Sequence, residues 1–134
     1  MSDSIVVGWT RTSESEAAVG AAVDEARRRS GRLIVVHSAR GGEEDARTVS
    51  DNRDALAGLE AQLRSQGLDV VVRDLIRGKD PADDLIEVAE KENAALIVIG
   101  LRRRSPVGKL LMGSHAQDIL LRADCPVLAV KATT

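Results

Sequence analysis

Apolar positions along this chain fall into two alternating kinds of segment. Ile5-Val6-Val7-Gly8, Leu33-Ile34-Val35-Val36, Val70-Val71-Val72, Leu96-Ile97-Val98-Ile99 and Val127-Leu128-Ala129-Val130 are short, unbroken and rich in β-branched residues. Continuous runs of this kind suit strands covered on both faces, as in a parallel sheet. Between them lie longer stretches whose apolar residues recur at helical spacing. Five strands alternating with four helices predict an open α/β sheet with helices on both faces, a Rossmann-like arrangement. No internal repeat, low-complexity tract or linker divides residues 1–134, so the chain reads as one domain.

Punctuation supports the helices. Ser13-Glu14-Ser15-Glu16 forms a capping box, in which the Ser13 hydroxyl accepts an amide hydrogen bond while Glu16 reaches back. The helix it opens carries Ala17, Ala18, Ala21, Ala22 and Ala26, small side chains that allow close packing on a sheet, and Gly31 is placed to end it. A second helix sets Leu56, Leu59 and Leu63 on one face and stops near Gly67. A third opens on Asp80-Pro81, a capping side chain followed by proline at the first helical position, and turns Leu85, Ile86 and Ala89 to the core. The fourth opens on a second capping box, Ser114-His115-Ala116-Gln117, and buries Ile119, Leu120 or Leu121. From Ala39 to about Thr48, with Gly41-Gly42 and Glu43-Glu44-Asp45, the pattern predicts a mobile surface loop.

Composition narrows the function classes. With 43% hydrophobic and 30% charged residues, the chain can bury a core and keep its surface wet, unlike a disordered segment. Ala94–Leu101, the longest uncharged apolar stretch, is far short of the roughly 20 residues that cross a bilayer. Met1-Ser2-Asp3-Ser4 has neither a basic run nor a long apolar one, so no secretion signal is expected. The single Cys125 has no internal disulfide partner, which agrees with a cytoplasmic setting. A net charge of -2 and one aromatic residue, Trp9, leave neither the basic excess nor the stacking platforms of a nucleic-acid binder.

Candidate chemistry gathers where the predicted strands end. In open parallel sheets, ligands lie beyond the carboxyl ends of the strands, where strand order reverses. The first strand ends in Gly8-Trp9-Thr10. The fourth ends in Gly100-Leu101-Arg102-Arg103-Arg104 and leads by a long loop into Met112-Gly113-Ser114 and the last helix. Free amides at a helix start favour anions. Gly113 removes a side chain from that approach, Ser114 adds a hydroxyl that serves the cap or a phosphate oxygen, and Arg102, Arg103, Arg104 and Lys109 supply cations. A loop glycine with a helix cap, beside a solvated arginine run, explains the same residues without a ligand. Gly108-Lys109 is no Walker motif, because Leu110 stands where Ser or Thr is needed. His115 falls in the first turn of the fourth helix, beside the expected phosphates, and has no evident partner for general-base work. His37, at the end of an apolar strand, reads as structural. The two histidines and Cys125 have no zinc spacing, and Asp83-Asp84 is explained by a helix start. Trp9 either covers an open end of the sheet or borders the site.

The stretch from Gly100 to Ser114, followed by Cys125-Pro126-Val127-Leu128-Ala129-Val130, resembles the universal stress protein family, and the likeness runs the whole chain. ATP-binding members of that family carry Gly, two residues, Gly, nine residues, then Gly with Ser or Thr. Gly100, Gly113 and Ser114 match this spacing, whereas Arg103 replaces the middle glycine. Arg103 either obstructs the ribose region or swings outward to meet phosphates. Thr10 stands where the family usually has an aspartate, and keeps a hydroxyl without the charge. By the same resemblance Ser38 lies near the adenine. The family further implies strand order 3-2-1-4-5 and a homodimer through residues 127–131. The uncharged run Val127–Val130 agrees with that pairing, since such an edge tends to pair with another chain, whereas the opposite edge carries Arg73 and Asp74.

Two functions remain in view. The first is a cytoplasmic stress-response regulator that holds ATP, or the related AMP or ADP, with Mg2+ as a candidate bridge between phosphates. Gly100, Gly113 and Ser114 would hold ribose and phosphates, Arg102 and Arg103 would neutralise charge, and Thr10, Ser38 and His115 would complete the site. Its protein partner is not readable from the sequence, and neither nucleic acid nor membrane is expected. The alternative is a dimeric interaction module of the same fold that binds no nucleotide, for which Arg103 and Thr10 speak. An ATP-hydrolysing enzyme ranks last, at most a slow one, because no residue is visibly placed to activate water.

Overall fold

The computed structural model describes residues 3–39, 46–76, 80–101 and 114–132. Along the chain run β1 (Ser4–Gly8), α1 (Ser13–Arg29), β2 (Arg32–Ala39), α2 (Ala46–Ser65), β3 (Asp69–Ile76), α3 (Pro81–Lys91), β4 (Leu96–Leu101), α4 (Ser114–Arg122) and β5 (Val127–Lys131). The strands form one all-parallel sheet in the order β3-β2-β1-β4-β5, as the resemblance implies.

The unbroken apolar runs are explained by burial on both faces. Ile5, Val7, Leu33, Val35 and Val98 point into a layer filled by Ala18, Val19, Ala22 and Ala26 of α1 and Leu56 and Leu63 of α2. Val6, Ile34, Val36, Ile97 and Ile99 point the other way, onto Leu85, Ile86, Val88 and Ala89 of α3 and Ala116 and Ile119 of α4. Each such side chain contributes about 1.5–3 kcal/mol when fully buried. In α4 the choice falls on Ile119 alone; Leu120 and Leu121 face outward, 38% and 85% exposed.

The local signals hold with adjustments. The cap of α1 is Thr12 rather than Ser13: its extended backbone lets Oγ1 accept from the Ser15 amide at 3.2 Å. Ser15 Oγ in turn accepts from the Thr10 amide at 2.9 Å, which fixes the chain leaving β1. Ser30, not Gly31, takes the left-handed conformation at the end of α1, with φ 51°. Gly31 is needed for a different reason, because a Cβ there would collide with the Asp3 carbonyl oxygen. Gly67, with φ 85°, closes the end of α2 as expected. Helix α2 begins at Ala46, so Ala46–Thr48 are helical, and the rest of the expected loop, 40–45, lies outside the described residues. Pro81 does open α3, but the Asp80 carboxylate makes no capping bond. The start of α4 is at Ser114, whose side chain, with the cap before it, lies outside the described residues.

Candidate functional site

The chain runs from β1 through β2 to β3 on one side and places β4 and β5 on the other, so strand order reverses between β1 and β4. At the carboxyl ends of those strands lies a cavity of about 250 Å³. Gly8, Trp9 and Thr10 reach it from β1, Val36 and Ser38 from β2, and Ile99 and Gly100 from β4. Its remaining wall is the first turn of α3, with Pro81, Ala82 and Leu85, and that of α4, with His115, Ala116 and Ile119. Two helices therefore direct their positive ends toward it. Another hollow, about 260 Å³, lies where α3 and α4 finish, lined by Ile86, Ala89, Asn93, Ile97 and Cys125 among others. Helix carbonyl ends and the carboxylates of Glu90 and Asp124 make that end unsuited to an anion.

Four of the eight residues singled out from the sequence, Thr10, Ser38, Gly100 and His115, line the one cavity although they come from four distant segments. Ser114 begins the helix at its mouth, and Arg102, Arg103 and Gly113 lie outside the described residues. Gly100 has a packing reason to be glycine: a Cβ would run into the carbonyl oxygen of Glu14, where the first turn of α1 crosses β4. Thr10 is exposed, its Oγ1 2.9 Å from that of Thr12. Ser38 Oγ lies 2.5 Å from Asp84 Oδ2, and Asp84 is wholly buried. His115 Nδ1 lies 3.3 Å from Asp80 Oδ1, so the two helix starts meet across the cavity rim. Arg122 strengthens that junction from outside, 2.6 Å from Asp83 on α3 and 2.7 Å from Asp118 on its own helix. Those two hydrogen bonds, to Asp83 first, push the guanidinium above its already high value.

Trp9 is a buried wall of the cavity and stands edge-on to His37, with ring centroids 5.2 Å apart at 84°. His37 itself is buried, and its Nδ1 lies 3.0 Å from Asp74 Oδ1, which holds the imidazole in place beneath the indole. It supports the site without lining it. Sequence reasoning missed Asp84, explaining it together with Asp83 as part of a helix start, as well as the apolar wall made by Pro81, Ala82 and Ala116. Only Asp83 of that adjacent carboxylate pair is a surface group, bridged to Arg122.

Val36, Leu85, Ile99 and Ile119 give the cavity apolar sides, Ser38 and Thr10 give it polar edges, and α4 gives it an anion-favouring end. That combination suits a flat, largely apolar ring carrying a phosphate. Among the described residues no three potential metal ligands cluster, and no helix is long and apolar enough to cross a membrane.

The family model for the universal stress protein family matches residues 1–131. A universal stress protein of Mycolicibacterium smegmatis is 40% identical over 131 residues, 95% of this chain and 96% of that one. Among solved structures, a universal stress protein from Archaeoglobus fulgidus superposes with a TM-score of 0.83 at 35% identity, covering 98% of this chain and 100% of its own. A universal stress protein of Archaeoglobus fulgidus solved in complex with dAMP gives 0.76 at 30% identity, over 96% and 98% of the two chains. The parallel sheet in 3-2-1-4-5 order, the cavity at its switch point and these likenesses agree: the chain belongs to the universal stress protein family.

Proposed function

We propose that this chain binds an adenine nucleotide in the cavity between β1 and β4 and acts, in the nucleotide-bound state, as a stress-response regulator in the cytoplasm. The observation that carries the reading is the convergence of Thr10, Ser38, Gly100 and His115 on one cavity at the start of α4. The base lies between the apolar sides, toward Ser38. The phosphates lie toward the start of α4 at Ser114, and the residues that precede it in sequence supply Gly113 and the cations Arg102 and Arg103, the latter in place of the middle glycine. The dAMP complex of the Archaeoglobus fulgidus relative supports an adenine occupant. ATP, ADP and AMP share that base and differ only at the phosphate end, where the arginines favour the longer chain. The described residues offer no cluster of metal ligands, so a Mg2+ ion accompanying ATP would rest chiefly on the phosphates. Any hydrolysis is expected to be slow and incidental, since Nδ1 of His37 faces Asp74 and Nδ1 of His115 faces Asp80.

A second reading, a dimeric interaction module without nucleotide, is favoured by two observations. Thr10 lacks the charge that the family usually places there, and Gly100 is accounted for by the contact with Glu14 alone. One titration separates the two. Trp9 is the sole tryptophan and lines the cavity, so ATP should change its fluorescence and raise the melting temperature. At 100 times its dissociation constant the ligand stabilises the fold by about 2.7 kcal/mol. Silence in both signals at millimolar ATP leaves the interaction module as the function.

A further inference from the structure

Asp84 sits in the first turn of α3 and is wholly buried, next in sequence to Leu85 of the cavity wall. Aspartate is almost never buried to this degree without a specific partner. A helix start accounts for a surface carboxylate such as Asp83. It does not account for one turned inward onto a hydroxyl of the cavity. The 2.5 Å separation between Ser38 Oγ and Asp84 Oδ2 is that of a hydroxyl donating to a carboxylate. A serine hydroxyl has one proton to donate and two lone pairs to accept with. With its proton held by Asp84, Ser38 can offer the cavity only lone pairs.

We infer that Asp84 is a positioning residue that holds Ser38 as a hydrogen-bond acceptor, so that the cavity selects a 6-aminopurine, which has an N–H to give, over its 6-oxo counterpart. This rests on the nucleotide reading above and adds to it the group that reads the base. A 6-amino group donates to Ser38. A 6-oxo group brings a second acceptor against the first, and both are left unsatisfied in a partly dry site. A 6-oxopurine also has an N1–H, but presenting it to Ser38 requires the ring to move by one position along the cavity. Without Asp84 the hydroxyl is free to rotate and can donate to either kind of base.

Three triphosphates test this by Trp9 fluorescence and calorimetry: ATP, inosine triphosphate, and purine riboside triphosphate, which has hydrogen at position 6. The chain should bind ATP at least about tenfold more tightly than either of the others. Ser38→Ala should bring ATP and purine riboside triphosphate within about threefold of each other by removing the acceptor. Asp84→Ala should bring ATP and inosine triphosphate similarly close, because the serine can then donate. A purely structural role for Asp84 would weaken all three nucleotides together and leave their ratios intact, which would overturn the inference. Should Asp84→Ala fail to fold, the wild-type ratios and the Ser38→Ala ratios decide. Equal affinities of the wild-type chain for ATP and inosine triphosphate defeat the inference and leave the nucleotide reading standing. No response to any of the three defeats both.

Discussion

At the scale of single residues, glycine at position 100 separates packing from ligand approach. The Glu14 main chain occupies the space a Cβ would need, and backbone cannot yield as a flexible side chain does. Gly100→Ala must lift the first turn of α1 off β4 and should cost about 1–3 kcal/mol, the usual penalty for overpacking. Urea denaturation without nucleotide measures this directly, and a change below about 0.5 kcal/mol would mean that α1 shifts freely. Cys125 gives a second test at this scale. Burial first, and the charge of Asp124 second, push its thiol above the ordinary 9.0. The folded state thus holds that proton more tightly than the unfolded chain does. Its contribution to stability is complete below the ordinary value and is lost as pH rises through the raised one. At about pH 8 the folded protein should react with an aromatic disulfide reagent more slowly than the urea-unfolded chain, because only thiolate attacks. Equal rates would place the thiol in open solvent.

Helix ends show where local pattern suffices and where it stops. The Ser13–Glu16 motif correctly announced α1, yet the cap is one residue earlier. Ser15 is buried and must take the Thr10 amide, and that demand from β1 sets the register of the first turn. Thr12→Ala should therefore cost about 0.5–2 kcal/mol, while Ser13→Ala stays within about 0.5 kcal/mol; chemical denaturation of the two variants distinguishes the caps. A larger loss at Ser13 would restore the original box. Asp80 illustrates the same limit, since its side chain meets His115 of α4 rather than its own helix, a choice made by how α3 and α4 pack. Asp84 is the clearest case. Two adjacent aspartates after a proline look alike in sequence, and only the docking of α3 against β2 sends one to solvent and the other beneath Ser38. Strands were easier to place because both sheet faces are covered, so each strand appears as an unbroken apolar run whatever its neighbours are. The exception is β3, which extends beyond Val70–Val72 to Ile76 through Arg73 and Asp74, charges tolerated because among the described residues the strand pairs on one side only.

Across the whole molecule, the two edges of the sheet differ in what they offer another chain. The β3 edge displays Arg73 and Asp74, tied to Glu92 and His37, and charges of this kind discourage strand pairing. Among the described residues β5 pairs only with β4, and its edge offers Val127, Leu128, Ala129 and Val130, with Leu128 37% exposed and no charge before Lys131. Pro126 precedes the strand, where its missing donor interrupts little of the free edge. Leu128 is the one large apolar side chain of β5 among the exposed ones of the described residues. Association of two copies through β5 would satisfy the backbone groups of its outer edge and cover Leu128. The wild-type chain should accordingly sediment as a dimer at micromolar concentration. Leu128→Lys places a charge in the middle of the strand and should give monomers that melt as folded domains and still respond to ATP, because the cavity draws nothing from β5. A variant that remains dimeric would move the contact to another face, and monomers that have lost the ATP response would show that the site needs the second copy.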